Sequence, residues 1–600
     1  MTAIATEAPW RRRFRAPRRI LPLWGRDRPE RLLFASNESG KWELYAWDRE
    51  HGRERQVTDR REGTVNGYLD PTGESIWWFD DTDGDELGMW RVEPFWGGED
   101  ASPLEELGRA YSTGLALGRT LAVAGTSSAA GGDEIHVLRR GRRPVRIYAH
   151  EESAWLSGVP RLWNYLSDLS CDERLFCFHH SEHGDSRHPA LRVMTIHGET
   201  VADLWDGPGL GLYAAGWPPV PGDNRVLIHH ERDGARRPML WSPELGETVS
   251  LPIDLPGEVD ASWYPDGRAL LLAHAHAGRS ELLRLDLATG AVEPLDAPRG
   301  VAGPAAARPD GSVWYAWSDA STPPQVRSTV DGPVLEPPRE AAPGGRAYAD
   351  LRVGAVHAFL AAPAAPRPVP TIVLVHGGPD SHDRDEFSPA VQAWVDHGFA
   401  VVLVNYRGST GYGREWRDAI TGNPGFTELE DILAVGQRVV DDGIADPARL
   451  VLGGASWGGY VTLLGLGTQP ERWSAGVAAV PVGDYVAAYE DEMEPLKAYD
   501  RALFGGASPT DDPERYRIRS PITYADRVRV PVLILAGEND PRCPIRGIDN
   551  YVERLRQLGK DHEVLRFDAG HGSMRIDERI RQLAAQIDFL ARRIGTTPPL

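Results

Sequence analysis

The chain has 600 residues, 41% of them apolar, and a formal net charge of −21. That length exceeds what a single core needs, so at least two domains are expected. The composition excludes wholesale disorder, and the acidic balance excludes phosphate backbones, and hence nucleic acid, as a partner.

The first stretch, Trp10-Arg11-Arg12-Arg13-Phe14-Arg15, is basic. A secretory signal would need an apolar run behind it. Ile20-Leu21-Pro22-Leu23-Trp24 is too short, and Arg26 and Asp27 soon interrupt it. Residues 1–24 therefore read as a solvated basic extension. No segment has the 18 uncharged apolar residues of a membrane span, so no membrane association is expected. Cys171, Cys177 and Cys543 are too few for a disulfide framework and lack metal-type spacing. No metal or cofactor is expected, and a reducing cytoplasm is the expected location.

Residues 25–335 read as short strands joined by tight turns. Asp70-Pro71-Thr72-Gly73 precedes Ser75-Ile76-Trp77-Trp78-Phe79, Pro265-Asp266-Gly267 precedes Ala269-Leu270-Leu271-Leu272, and Pro309-Asp310-Gly311 precedes Val313-Trp314-Tyr315. Asp-Gly turns suit hairpins. A unit of roughly 45 residues, repeated along the segment, is the mark of an all-β propeller, with six to eight blades fitting the length and seven the expected number. A pair of β-sandwiches is the alternative.

Residues 331–350, rich in Pro, Gly and Ala, read as a linker, and 336–600 as the second domain. There the strands become continuous apolar runs, including Pro370–Val375, Phe399–Val404, Arg449–Leu452 and Val530–Leu535, as in parallel strands buried on both faces. Helical patterns lie between them, at Leu429 to Val440 and about Ile576 to Ile594. The expected fold is an α/β-hydrolase domain, a mostly parallel sheet with helices on both faces.

Gly454-Ala455-Ser456-Trp457-Gly458 matches G-x-S-x-G, with an apolar strand before it and a helix-compatible stretch after it. That setting puts Ser456 on a tight turn as a nucleophile. Serine needs a base, and in this fold the acid and then the histidine follow in the chain. Asp540, after the strand Val530 to Ala536, is the expected acid, with Glu538 as alternative. His571, in Ala569-Gly570-His571-Gly572, is the expected base, whereas His562 precedes its strand and falls at the wrong end of the sheet. The oxyanion needs donors worth roughly 3–4 kcal/mol each. The first is the N–H of Trp457, and His376-Gly377-Gly378-Pro379 follows a strand where a second often arises.

With these motifs in order, residues from about 350 to 600 resemble the prolyl oligopeptidase family of serine peptidases, most closely its acylaminoacyl-peptidase branch. The matching stretches are His376–Pro379, Asn405-Tyr406-Arg407-Gly408-Ser409-Thr410-Gly411-Tyr412-Gly413, Gly454–Gly459, Asn539–Pro544 and Gly570–Gly572. The resemblance implies a capping propeller that admits only short peptides. It implies Tyr412 as second oxyanion donor, with His376-Gly377-Gly378 a shaping turn, and Arg542 as a substrate-carbonyl ligand.

The paired glutamates with which dipeptidyl-peptidase relatives hold a substrate amine have no convincing copy. Glu105-Glu106 and Glu151-Glu152 read as surface acids. Tyr489-Glu490-Asp491-Glu492-Met493-Glu494 reads as a solvated helix face, with a lid over the specificity pocket as its functional alternative. Cys543 is near enough to Asp540 for bulky thiol reagents to slow turnover. The expected activity is hydrolysis of short peptides through an acyl-enzyme on Ser456, with release of N-acylated or N-terminal residues. An esterase or amidase using the same triad and a non-catalytic binding propeller are the alternatives. The sequence leaves the oligomeric state open, a homo-oligomer included.

Overall fold

The computed structural model describes residues 7–129, 132–157 and 168–597. Its first half is built from antiparallel meanders. Strands Leu23–Trp24, Arg31–Ser36, Glu43–Asp48 and Arg53–Gln56 form the first. A seven-stranded sheet follows, in which Gly67–Leu69, Ser75–Asp81 and Leu87–Pro94 join a four-stranded meander spanning 110–150 through only Leu87↔Tyr111 and Gly88↔Ala110. Four-stranded sheets then cover 154–204, 212–250, 258–294 and 301–334.

The turns form where Asp and Gly specify them. Gly73, Gly267 and Gly311 all take positive φ, and Asp70 Oδ1 accepts from Glu74 N at 3.0 Å, closing its turn. Apolar residues of both sheet faces fill clusters between consecutive meanders. One such cluster joins Leu21, Trp24 and Phe34 to Ala306, Trp314 and Val326, so the last meander packs on the first.

The second half holds an eight-stranded sheet. In chain order its strands are β1 (Ala349–Val353), β2 (Val356–Ala361), β3 (Val369–Val375), β4 (Ala400–Asn405), β5 (Ala445–Ala455), β6 (Ala475–Ala479), β7 (Val532–Gly537) and β8 (His562–Phe567). They lie side by side in the order β1-β2-β4-β3-β5-β6-β7-β8, and all pairs from β4 to β8 are parallel. Ile372, Val401, Val451 and Leu533 enter one core; their neighbours Val373, Val402, Leu452 and Ile534 enter the other. That alternation is why the runs read as unbroken apolar segments. Helices Phe426–Asp441, Trp457–Thr468 and Ile545–Gln557 cover the second face; Pro389–Asp396 and Ile576–Ile594 cover the first.

The structure corrects the reading of the N-terminus. Pro9–Arg15 is a helix, and Trp10 and Phe14 are buried among Trp394, Ile587 and Phe589 of the α/β half. Arg13 is buried too, paired with Asp396 and donating to Gly344 O at 2.9 Å. Four arginines around two aromatics give an amphipathic turn whose apolar side needs a partner that sequence order does not reveal. Leu23 and Trp24, assigned to the extension, pair with Leu33 and Leu32. The linker is shorter than read, because Gly332–Val334 edges the last meander and Ala349 opens β1. Cys171 lies in a turn, and Cys177 in the strand Leu175–Asp185 that follows it.

A largely buried polar network joins the two halves. Arg187 Nη2 lies 3.0 Å from Asp380 Oδ1. His188 Nε2 lies 3.0 Å from Asp418 Oδ2, and its Nδ1 lies 3.1 Å from Asp185. Arg417 pairs with Glu231 across the junction and with Asp418 on its own side.

Candidate active site

β5 ends at Ala455, and Ser456 follows with φ 58° and ψ −123°. A non-glycine residue in that region costs about 1–3 kcal/mol and needs surroundings that enforce it. Ser456 N donates to Ala479 O at 2.9 Å, and Tyr460 N donates to Ser456 O at 2.9 Å, opening the helix. The motif glycines are explained by space: a Cβ on Gly458 would lie 1.9 Å from Val375 O, and one on Gly454 2.6 Å from the Gly458 backbone. The serine is thus lifted above the sheet edge by a turn with no room for side chains.

Because β5 to β8 are parallel neighbours, the segments that follow β5, β7 and β8 emerge along one edge. Asp540 follows β7 and His571 follows β8. Asp540 Oδ2 lies 2.8 Å from His571 Nδ1, and the carboxylate is fully buried. Its other oxygen accepts from Arg542 N at 2.9 Å and Cys543 N at 3.0 Å, which fixes its orientation. Among the described residues none hydrogen-bonds to Nε2 of His571, so that nitrogen is left for a hydroxyl proton. Glu538 is exposed, and His562 opens β8 at the opposite end of the strand from His571.

The turn after β3 lies against the nucleophile. A Cβ on Gly377 would sit 3.2 Å from Ser456 Cβ and 3.8 Å from its Oγ. His376 braces this turn: Nδ1 lies 2.8 Å from Gly377 O, Nε2 lies 2.8 Å from Ser409 Oγ, and the ring stacks on Tyr406 at 4.2 Å. Burial pushes the His376 imidazole down to about 4, so it is a neutral strut.

Tyr412, expected as the second oxyanion donor, has its hydroxyl engaged by two neighbours. Its hydroxyl accepts from Asn405 Nδ2 at 2.7 Å and lies 2.7 Å from His357 Nδ1. Asp350 lies 2.9 Å from Nε2 of that histidine, which places the ring proton there. Nδ1 is then an acceptor, and it takes the one phenolic proton. Arg542, expected to bind a substrate carbonyl, makes a bidentate pair with Glu86 of the first half, at 2.5 and 2.8 Å.

That contact belongs to a larger seam. Gly84, two residues before Glu86, abuts Gly570: a Cβ on Gly570 would lie 1.9 Å from Gly84 O. Arg61 pairs with Asp568, and Ser573 donates to Glu62 at 3.2 Å. The His571 loop is therefore bracketed by the first meanders. Sequence reasoning missed Glu86 because it ends an acidic turn, Asp80 to Glu86, that reads only as a hairpin connection.

Cys543 is buried, and burial pushes its thiol up, so thiol reagents meet little thiolate. Ligand atoms of Cys543, Asp540 and His571 lie within 4.8 Å of one another. A soft divalent ion could bind there, competing with the Asp540–His571 bond. Glu105, Glu106, Glu151 and Glu152 are exposed, as read. Within the acidic run, Glu490 and Asp491 are surface partners of Arg546, but Glu492 is buried, contrary to the solvated-face reading.

Residues 385–597 match the model of the prolyl oligopeptidase family. Dipeptidyl peptidase family member 6 of Caenorhabditis elegans is 33% identical over 258 residues, 42% of this chain and 33% of that protein. The acylamino-acid-releasing enzyme of Arabidopsis thaliana is 32% identical over 203 residues, 33% of this chain and 27% of that protein. The chain thus spans about a third of the length of the curated relatives it matches. Among solved structures, a puromycin-hydrolyzing peptidase of Mycobacterium tuberculosis superposes with a TM-score of 0.78 at 21% identity, covering 99% of this chain and 97% of that one. An acylaminoacyl peptidase of Pyrococcus horikoshii superposes with a TM-score of 0.69 at 17% identity, covering 98% of each chain.

Proposed function

We propose, from the premise that the chain carries a prolyl oligopeptidase family domain, that it is a serine peptidase acting on short peptides through an acyl-enzyme on Ser456. The observation that carries this reading is the 2.8 Å pair between Asp540 and His571 on the same sheet edge as the strained Ser456 turn. His571 Nε2 takes the Ser456 proton as Oγ attacks the scissile carbonyl. Asp540 holds the imidazole tautomer and stabilises its charged form. The same proton passes to the leaving amine, and a water, deprotonated by His571, releases the acyl group.

The oxyanion is assigned to the N–H of Trp457, at the open start of its helix, and to the N–H of Gly377, whose backbone abuts Ser456. Arg542 binds the substrate backbone while paired with Glu86. The first half is read as a propeller of seven blades over about residues 25–335, supported by the apolar clusters between consecutive meanders. It limits substrates to short chains, and 336–600 form the catalytic domain. The acylamino-acid-releasing and peptide-cleaving relatives support release of an N-acylated or N-terminal residue. Three free cysteines suit a reducing cytoplasm.

The test is fluorophosphonate labelling with product analysis on a mixed short-peptide library. Wild type is labelled and cleaves peptide bonds, while Ser456→Ala and His571→Ala lose both by a thousandfold or more. A Ser456→Ala protein with full peptidase activity rejects the reading, as does a wild type that turns over simple esters and no peptide.

A further inference from the structure

Between β6 and β7 the chain inserts the helices Tyr485–Asp491, Glu494–Leu503 and Pro513–Arg519. Their aromatics continue a wall that begins beside the nucleophile. Trp457 packs on Tyr460 at 4.7 Å, Tyr460 on Tyr485 at 5.3 Å, Tyr485 on Phe504 at 4.8 Å and Phe504 on Tyr516 at 4.0 Å. Two carboxylates lie within this wall. Asp500 is buried and accepts from Tyr485 Oη at 3.2 Å. Glu492 is 6% exposed, and its Oε1 is buried with no hydrogen-bond partner among the described residues.

The cations around them make their hydrogen bonds elsewhere, and Lys497 and Arg501 offset the burial of Glu492 only in part. Lys497 pairs with Glu494 at 2.8 Å, Arg501 donates to Tyr489 Oη at 3.3 Å, and Arg546 holds Glu490 and Asp491 at the surface. Two unpaired anions in a low-dielectric interior cost several kcal/mol each. Burial and their mutual repulsion push Glu492 well up, and burial pushes Asp500 up to about 7. Such a pair is an electrostatic vacancy for one positive charge.

The vacancy adjoins the catalytic residues. Met493 N donates to Pro541 O at 2.9 Å, so Glu492 is anchored next to the Asp540 loop. Cys543, whose sulfur is within 4.8 Å of the Asp540 and His571 ligand atoms, feels the charge of both Glu492 and Asp500. Trp457, the first panel of the wall, directly follows Ser456. Tyr460, Phe504 and Tyr516 are covered by one another, whereas Trp457, Glu492 and Asp500 each keep 6% exposure, so a side chain leaving the acylated residue beside Trp457 would end at the two carboxylates.

We propose that Glu492 and Asp500 select a cationic side chain, ammonium or guanidinium, on the residue whose carbonyl Ser456 attacks. This rests on the nucleophile assignment above. The experiment compares kcat/KM for matched amides bearing Lys, Arg, norleucine or Phe at that residue, in free and acylated forms. Wild type, Glu492→Gln, Asp500→Asn and the double variant are compared, with fluorophosphonate labelling of Ser456 in parallel. Wild type is expected to favour Lys and Arg over norleucine tenfold or more, and the double variant to lose at least tenfold of that ratio. As a second readout, butylammonium slows labelling of the wild type and 1-butanol at equal concentration does not. A labelled, active wild type that treats norleucine and Lys alike, or is protected equally by both butyl compounds, overturns the proposal and leaves the nucleophile assignment standing. A wild type that is neither labelled nor active removes both.

Discussion

Raising pH should loosen the junction between the two halves through a single side chain, His188. Both ring nitrogens of His188 face carboxylates, Asp185 at 3.1 Å and Asp418 at 3.0 Å, so the paired form is the imidazolium. Burial alone would depress the ring, but the hydrogen bonds and charges of Asp185 and Asp418 outweigh it and raise it to about 9. In the same network Arg187 pairs with Asp380 and Arg417 with Glu231, so His188 is one member of a larger charged cluster. The folded value lies above the unfolded value of about 6.5, so the contribution is complete below pH 6.5 and is lost as pH rises through 9. Linkage gives about 3 kcal/mol at pH 6 and less than about 0.5 kcal/mol at pH 9.5. Urea unfolding followed by tryptophan fluorescence across pH 6–9.5 measures it, with His188→Gln as comparison, since groups common to both proteins cancel. Wild type should lose about 2–3 kcal/mol more than the variant over that range. Equal slopes would refute the doubly paired imidazolium.

Asp540→Asn should keep the fold and lower kcat about 10³–10⁴-fold by favouring the wrong His571 tautomer, and a loss under tenfold in steady-state peptide hydrolysis contradicts that role. Arg542→Lys breaks the bidentate contact with Glu86 and should lower kcat/KM about tenfold; unchanged kinetics would leave that arginine a purely structural tie. Micromolar Zn²⁺ should inhibit reversibly through Cys543, Asp540 and His571, with EDTA restoring activity and Cys543→Ala raising the half-inhibiting concentration about tenfold. Trp10→Ala empties a fully buried indole site and should destabilise the protein by about 3–5 kcal/mol in urea titrations, whereas a change under about 1 kcal/mol contradicts the docked helix.

The nucleophile turn was legible because its demands are local: glycines where strand ends crowd together, a strand before and a helix after. The strands of the α/β half were legible for the same reason, since burial on both faces leaves no polar alternation to misread. What stayed hidden depends on side-chain partners that the sequence does not reveal. The Tyr412 hydroxyl is turned by His357 and Asn405, 55 and seven positions away. Arg542 is claimed by Glu86, 456 positions away, and nothing local to either predicts the pair. Glu492 looks like its neighbours Glu490 and Asp491 in sequence, and only the packing of two helices separates the inward carboxylate from the outward ones. The basic N-terminus reads as solvated because its apolar contacts lie on helices near residues 390 and 585.

The docking of Trp10 and Phe14 fixes an order of events during synthesis. This helix leaves the ribosome more than 500 residues before Ile576–Ile594, which form part of the surface that buries it. For most of translation its two aromatics have no place to go, while the meanders behind them can already fold. Emergence of Ile576–Ile594 is then the moment this helix is captured, so a nascent product halted before residue 576 carries an unshielded, sticky Trp10 that quality-control machinery can read.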